Sequence, residues 1–226
     1  MTEKDFKRSI ITISKDALAN LPAAEYNGKI CVIDKPEDVD SAVRDLRTAD
    51  IIGFDSETRP SFKRGQCYNV SLIQLATPDC CYLFRTNKIG FPKELIDLFE
   101  DSGLTKVGLS IHDDFHNIRK IANVEPQSFI DLQAYVKKYK IADNSLSRLY
   151  GILFGKRISK SQRLTNWENK TLSESQQHYA ALDAAACVEI YKYLEQGLFN
   201  PSDSPYLTLP PEPVIENPEG NNSENA

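Results

Sequence analysis

A change of pattern near residue 90 constrains the fold of this chain most. Before it, three apolar segments of strand-like composition follow one another, at residues 51–57, 70–76 and 80–85. A Pro-Asp pair between the last two is typical of a tight turn, so these segments predict an antiparallel meander. After it, helix-like segments alternate with one buried strand, TKVGLSI. Because such alternation requires crossovers between parallel strands, the sequence predicts an α/β fold with a mixed sheet flanked by helices.

Further elements complete this pattern and set the domain boundaries. The 226 residues, 41% of them hydrophobic, are typical of one folded domain. Residues 200–226 contain six prolines and no basic residue, which predicts a disordered acidic tail. We therefore predict an N-terminal extension at 1–28, one domain at 29–199 and the tail at 200–226. Within the domain we also predict a strand at 29–34 and helices at 37–49, 91–101, 113–123, 145–155 and 173–196.

Charge and targeting signals exclude several classes of protein. The formal net charge is −5, but the predicted tail carries five acidic residues, and the remainder has 27 residues of each sign. A neutral body permits a phosphate-binding face without announcing one. We find no apolar run long enough for a membrane span and no secretory signal, and the five cysteines include no CxxC pair. These features predict a cytoplasmic protein with reduced thiols and no membrane partner.

Two carboxylates share one face of the predicted strand IIGFDSE. Side chains alternate along a strand, so Asp55 and Glu57 point to one side and Phe54 to the other. Burial of two such acids is unfavourable unless cations neutralise them, and all-oxygen ligands suit Mg²⁺ or Mn²⁺. The alternative is a solvated strand end, because an Asp-x-Glu pair is weak evidence by itself.

A second pair of acids begins the predicted helix at 113–123. Asp114 shares a helical face with Ile118 and Ile121, whereas Asp113 lies on the polar face. Asp113 is typical of an acidic residue that interacts with the helix dipole. The inward direction of Asp114 makes it the candidate for a site.

The last candidate acid lies in the predicted helix at 173–196. Ser173 and Gln176 form a capping box, so His178, Tyr179 and Asp183 are all helical. At about 100° per residue, Tyr179 is about 40° around the axis from Asp183, and His178 about 140°. The tyrosine therefore shares the face of the aspartate. The alternative is a core aromatic residue beside a surface acid.

Together these acids and the tyrosine resemble the motifs of the DEDD superfamily of 3′–5′ exonucleases, in its tyrosine branch. The resemblance covers residues 29–198 and is to ribonuclease D and the Werner exonuclease domain. It implies a ribonuclease-H-like fold. A sister branch carries histidine five residues before the last aspartate, but the helical phase favours Tyr179 over His178. The similar segments are GFDSET, VSLIQLAT, KVGLSIHDD and RLTNW…LSESQQHYAALDAA.

The resemblance also implies a function and a ligand set. Asp55, Glu57 and Asp183 would hold one divalent cation, and Asp55 with Asp114, through water, would place a second, both Mg²⁺ or Mn²⁺. Tyr179 would orient the attacking water or the scissile phosphate. The expected reaction is hydrolysis at a single-stranded 3′ end of DNA or RNA, with release of mononucleotides. The alternatives are a catalytically inactive domain that binds nucleic acid or protein, and an endonuclease whose products would be oligomers.

Basic and polar residues near the motifs are candidates for substrate contacts. Lys160 and Arg163 belong to the basic segment GKRISKSQR, which could follow the phosphates of an incoming strand. Gln66 lies soon after Glu57 and is a candidate for the site entrance. The alternative for all three is a solvated loop.

Overall fold

The computed structural model of the protein describes residues 2–209, which contain eight strands and nine α-helices. The strands are β1 (Ile10–Ile11), β2 (Lys29–Ile33), β3 (Ile51–Thr58), β4 (Val70–Ala76), β5 (Cys80–Phe84), β6 (Thr105–Gly108), β7 (Phe129–Asp131) and β8 (Leu207–Thr208). The α-helices are α1 (Glu3–Arg8), α2 (Lys15–Ala19), α3 (Val39–Leu46), α4 (Thr86–Ile89), α5 (Lys93–Phe99), α6 (Ile111–Ile118), α7 (Leu132–Tyr135), α8 (Leu146–Phe154) and α9 (Glu174–Glu195).

Six of these strands form one mixed sheet in the order β2-β5-β4-β3-β6-β7. Strands β3, β4 and β5 pair antiparallel, which confirms the predicted meander. Strand β6 pairs parallel to β3 and to β7, and β2 pairs parallel to β5. The predicted mixed sheet with flanking helices is confirmed.

The helices form one layer on each side of the sheet. On one side, α3, α5 and α6 cover an apolar core that includes Ile52 and Phe54 of β3. On the other, α8 and α9 cover a second core that includes Leu72 of β4 and Leu83 of β5. Because Asp55 and Glu57 alternate with Phe54 along β3, they face the layer of α8 and α9. Among residues 2–209, no helix combines the length and the apolar character of a membrane span.

Both ends of the described chain pack against the domain. Ile11 of β1 is fully buried, and β1 pairs antiparallel with β8. The predicted tail therefore needs a correction at its start: Pro201–Asp203 forms a 3₁₀ turn, and Leu207 of β8 packs against the core. Backbone pairing and this apolar contact order residues that composition alone marked as disordered. The remainder of the predicted tail lies outside the described residues, and the domain boundaries stay predictions.

One glycine allows the longest helix to lie directly on the sheet. A Cβ atom at Gly53 of β3 would lie 1.9 Å from the carbonyl oxygen of Ala184 in α9. Since real Cβ atoms do not approach backbone this closely, only glycine permits this contact between the two backbones. Ala184 follows Asp183, and Gly53 lies two residues before Asp55. The close approach therefore brings these two aspartates to the same place.

Candidate active site

Three carboxylates from two elements meet at the carboxyl end of β3. Ligand oxygens of Asp55, Glu57 and Asp183 all lie within 4.8 Å of one another. Strand alternation puts the first two on the face that α9 covers, and Asp183 reaches them from the middle of that helix. Asp183 is only 6% exposed. The arrangement gathers an all-oxygen set of the kind that holds Mg²⁺ or Mn²⁺.

Asp114 approaches the same place from the opposite layer. It lies in the first turn of α6, whose Phe115 packs on Phe54 with ring centroids 6.2 Å apart. Asp114 lines a cavity of about 580 Å³ together with Asp55 and Asp183. It also accepts a hydrogen bond from the hydroxyl of Ser56. Asp114 therefore belongs to the cavity but stands apart from the three clustered acids.

Tyr179 and His178 occupy different positions around α9. Tyr179 lines the cavity, and its ring packs on that of Trp167 at a centroid distance of 6.1 Å. The side chain of His178 is 50% exposed, with Nε2 3.8 Å from Oε1 of Glu174. Of the two rings, the tyrosine is the one that neighbours Asp183, in the direction that the helical phase predicts.

Burial and mutual repulsion raise the pKa of every carboxyl group in the cavity. Burial raises the pKa of Glu57 to about 9, and the neighbouring Asp183 and Asp114 add to the rise. Burial followed by the charge of Asp183 also raises the pKa of Asp55. Burial raises the pKa of Asp183 to about 7, although the Tyr179 hydroxyl and Lys160 oppose it. Burial raises the pKa of Asp114 to about 6, against the opposing hydrogen bond from Ser56.

Positive charge near these acids comes from two of the three predicted substrate contacts. Lys160 and Arg163 line the cavity, where Lys160 lowers the pKa of Asp183 and Arg163 lowers that of Glu57. Gln66 lies elsewhere. It lines a separate cavity, and its Nε2 donates a 2.6 Å hydrogen bond to the hydroxyl of Tyr68. The turn after Glu57 carries Gln66 away from the acids.

Sequence reasoning missed several residues of the site. Ser56 was passed over because alternation places it on the other strand face, yet that is the face from which Asp114 approaches. The polar wall of the cavity at residues 144–147 was also missed. Its signal is Ser145, the residue before a predicted apolar helix, where short polar residues are common. Arg85, discussed below, carries no signal in the local sequence.

Clustered buried acids beside basic side chains in one cavity are what a metal-dependent nuclease requires, and this fold and site together define that class. The chain belongs to the 3′–5′ exonuclease family, whose model matches residues 30–198. It is 35% identical over 185 residues to the mouse bifunctional 3′–5′ exonuclease/ATP-dependent helicase WRN, covering 77% of this chain and 13% of that protein. The matched region is thus a small part of that relative.

Solved structures have the same architecture. The Nibbler EXO domain of Aedes aegypti aligns with a TM-score of 0.69 at 25% identity, over 80% of this chain and 97% of that one. Ribonuclease D of Trypanosoma brucei, solved in complex with RNA U12, aligns with a TM-score of 0.64 at 21% identity, over 79% and 64% of the chains. The resemblance of the sequence to this class of nuclease is confirmed.

Proposed function

We propose that this protein removes mononucleotides from the single-stranded 3′ end of DNA or RNA, with two divalent cations as cofactors. The observation that carries the proposal is the meeting of Asp55, Glu57 and Asp183 within 4.8 Å, in a cavity that also holds Asp114. Four buried acids without cations would repel one another, and such an arrangement is unfavourable unless positive charge enters it.

The donor set fits hard divalent cations. We assign Asp55, Glu57 and Asp183 to one cation, and Asp55 with Asp114 to a second, with Mg²⁺ or Mn²⁺ as the ions. Two such ions, when bound, make water a better nucleophile at neutral pH and stabilise the leaving oxygen of a phosphodiester. The chain itself contributes the fixed positions of the oxygens, set by β3, α6 and α9.

Tyr179 is assigned to positioning. Burial, followed by the charge of Asp183, raises the pKa of its hydroxyl well above the usual range. The sign of this shift keeps the hydroxyl protonated at neutral pH, so it can donate a hydrogen bond but cannot act as a base. A donor beside Asp183 would hold the attacking water or the scissile phosphate in line for reaction.

The basic residues suggest how the substrate enters. Lys160 and Arg163 are exposed and line the cavity, where they would contact phosphates without reading bases. The RNA in the ribonuclease D complex supports a nucleic-acid strand as the ligand of this fold. We keep both DNA and RNA as substrates and propose a cytoplasmic protein.

The test uses single-stranded DNA and RNA oligonucleotides labelled at the 3′ or the 5′ end, with Mg²⁺ or Mn²⁺ and then with chelator. We expect immediate release of the 3′ label as a mononucleotide, a ladder from the 5′-labelled strand, and no reaction with chelator. Asp183→Asn is the matched inactive control, since it removes one charge without changing shape. Oligomeric first products, or a reaction that chelator leaves intact, would contradict the proposal.

A further inference from the structure

Arg85 is a buried cation next to the catalytic layer. It follows β5 and is 1% exposed. Its Nη2 donates to the carbonyl oxygens of Asn169, at 2.6 Å, and of Trp167, at 3.4 Å. Within residues 2–209, its Nε has no hydrogen-bond partner. Burial of a guanidinium with only carbonyl partners costs free energy, so its position here calls for a role that an apolar side chain would not fill.

The carbonyls that Arg85 binds belong to the segment 165–169, which precedes α9. Gln176 of α9 holds the other end of this segment through Nε2, which donates to Oγ1 of Thr165 at 2.9 Å and to the carbonyl of Asn166 at 3.3 Å. Arg85 therefore fixes one end of a short loop whose other end is tied to the helix that carries Tyr179.

Trp167 lies at the centre of this loop and has no hydrogen bond of its own side chain. The indole is fully buried, and its Nε1 has no partner among the described residues. An indole N–H usually finds a partner when it is buried. The ring position is therefore set by packing and by the backbone, whose carbonyl Arg85 holds. The ring in turn packs on Tyr179, 6.1 Å between centroids and 35° between planes.

We propose that Arg85 is a positioning residue for the reaction: by fixing the backbone of the loop, it holds Trp167 against Tyr179 and so sets where the tyrosine hydroxyl lies. Arg85 touches neither substrate nor metal ligands, and its effect passes through Trp167. This inference rests on the proposed function, since Tyr179 is the group it positions. A misplaced group of this kind lowers the rate of the chemical step more than it lowers binding.

The test is a double-mutant cycle between Arg85 and Tyr179, with kcat and KM measured on a 3′-labelled oligonucleotide. Arg85→Met is expected to lower kcat about tenfold and to change KM less than twofold. In a Tyr179→Phe background, the same change should lower kcat less than twofold, because the hydroxyl that it misplaces is gone. Equal losses in both backgrounds would overturn the proposal. Lys88→Met is the matched control: Lys88 is exposed, three residues away, and pairs with Asp34 at 2.8 Å.

A second measurement does not depend on activity. Trp167 is the only tryptophan of the chain, so intrinsic fluorescence excited at the indole reports on this loop alone. Arg85→Met should shift the emission to longer wavelength as water reaches the ring, while Lys88→Met leaves it unchanged. An unshifted emission in Arg85→Met would overturn the proposal even if the protein proves to have no nuclease activity, so the two failures can be told apart.

Arg85→Met removes a buried side chain, and a second variant guards against simple unfolding. Trp167→Leu leaves the two backbone hydrogen bonds of Arg85 in place and removes only the ring that contacts Tyr179. It should reproduce the loss of kcat in the wild-type background and have little effect beside Tyr179→Phe. A loss of the same size in both backgrounds would show that the loop does not act through Tyr179.

Discussion

His178 and Tyr179 are neighbours in the sequence but lie on different sides of α9. Tyr179 packs on Trp167 and lines the acidic cavity, while His178 is half-exposed and lies 3.8 Å from Glu174. The pKa of Asp183 is lowered by its interaction with Tyr179, against the larger rise from burial. The two adjacent rings therefore offer a matched pair of variants that differ in their relation to the acids.

Tyr179→Phe is expected to lower kcat by about 100-fold, because the ring stays and only the positioning hydroxyl is lost. Substrate affinity and the thermal response to Mg²⁺ should persist. His178→Ala should change kcat less than twofold, since its side chain faces solvent. Steady-state kinetics on a 3′-labelled oligonucleotide measures both variants. A large loss from the histidine variant alone would reverse the assignment of the tyrosine.

Charge reversal at the cavity rim should change how salt affects binding. Each phosphate that Lys160 or Arg163 neutralises contributes about −0.7 to the slope of log K against log salt for a single strand. Lys160→Glu with Arg163→Glu should therefore weaken binding and make that slope shallower by about 1. Fluorescence anisotropy with a labelled oligonucleotide at several salt concentrations measures it. Lys170→Glu, exposed and absent from the cavity lining, is the control. An unchanged slope would remove both residues from the substrate path.

The sequence predicts those parts of the fold and site that depend on local periodicity. Alternation along β3 placed Asp55 and Glu57 on one face, and helical phase placed Tyr179 with Asp183. The meander followed from three apolar segments with a turn signal between two of them. In each case one element carries its own pattern, and only one face of it can be buried.

Features that depend on distant partners were not predictable in this way. The strands β1 and β8 have two residues each and exist only because the chain ends meet. Arg85 would be placed at the surface by any local reading, and it is buried because residues 167–169 return to it. Gln66 was wrongly expected near the acids, since the turn after β3 has no periodicity to fix its direction.

Gly53→Ala tests whether close packing of α9 on β3 builds the acidic cluster. The added methyl group would lie 1.9 Å from the carbonyl oxygen of Ala184, a backbone atom that cannot swing aside. We expect a loss of about 3 kcal/mol in the free energy of unfolding, measured with urea, and loss of the thermal response to Mg²⁺ as Asp183 moves from Asp55. In Gly103→Ala, the nearest atom is 3.3 Å away on the flexible side chain of Asp101, and stability should change by less than about 0.5 kcal/mol. Similar stability in both variants would contradict the packing argument.

The raised pKa values of the acids predict how the stability of the metal-free protein depends on pH. In the folded state the pKa is about 6 for Asp114, about 7 for Asp183 and about 9 for Glu57, all above the usual carboxyl values. Between about pH 4 and pH 9 the folded state therefore binds more protons than the unfolded state. The free energy of unfolding must fall as pH rises through this interval, by about 1.4 kcal/mol per pH unit for each extra proton bound.

Thermal melts in chelator between pH 5 and pH 8 measure this dependence. The melting temperature should fall with rising pH, and Mg²⁺ or Mn²⁺ should restore it most at pH 8, where the carboxylates are ionised and can bind the cation. Asp55→Asn removes one of the repelling charges, so its metal-free melting temperature should fall less steeply and respond little to metal. Asp40→Asn is the control, because Asp40 is exposed and pairs with Arg44 on α3. A melting temperature that rises from pH 5 to pH 8 in chelator would mean that the acids do not repel one another in the folded protein, and the metal site would lose its physical basis.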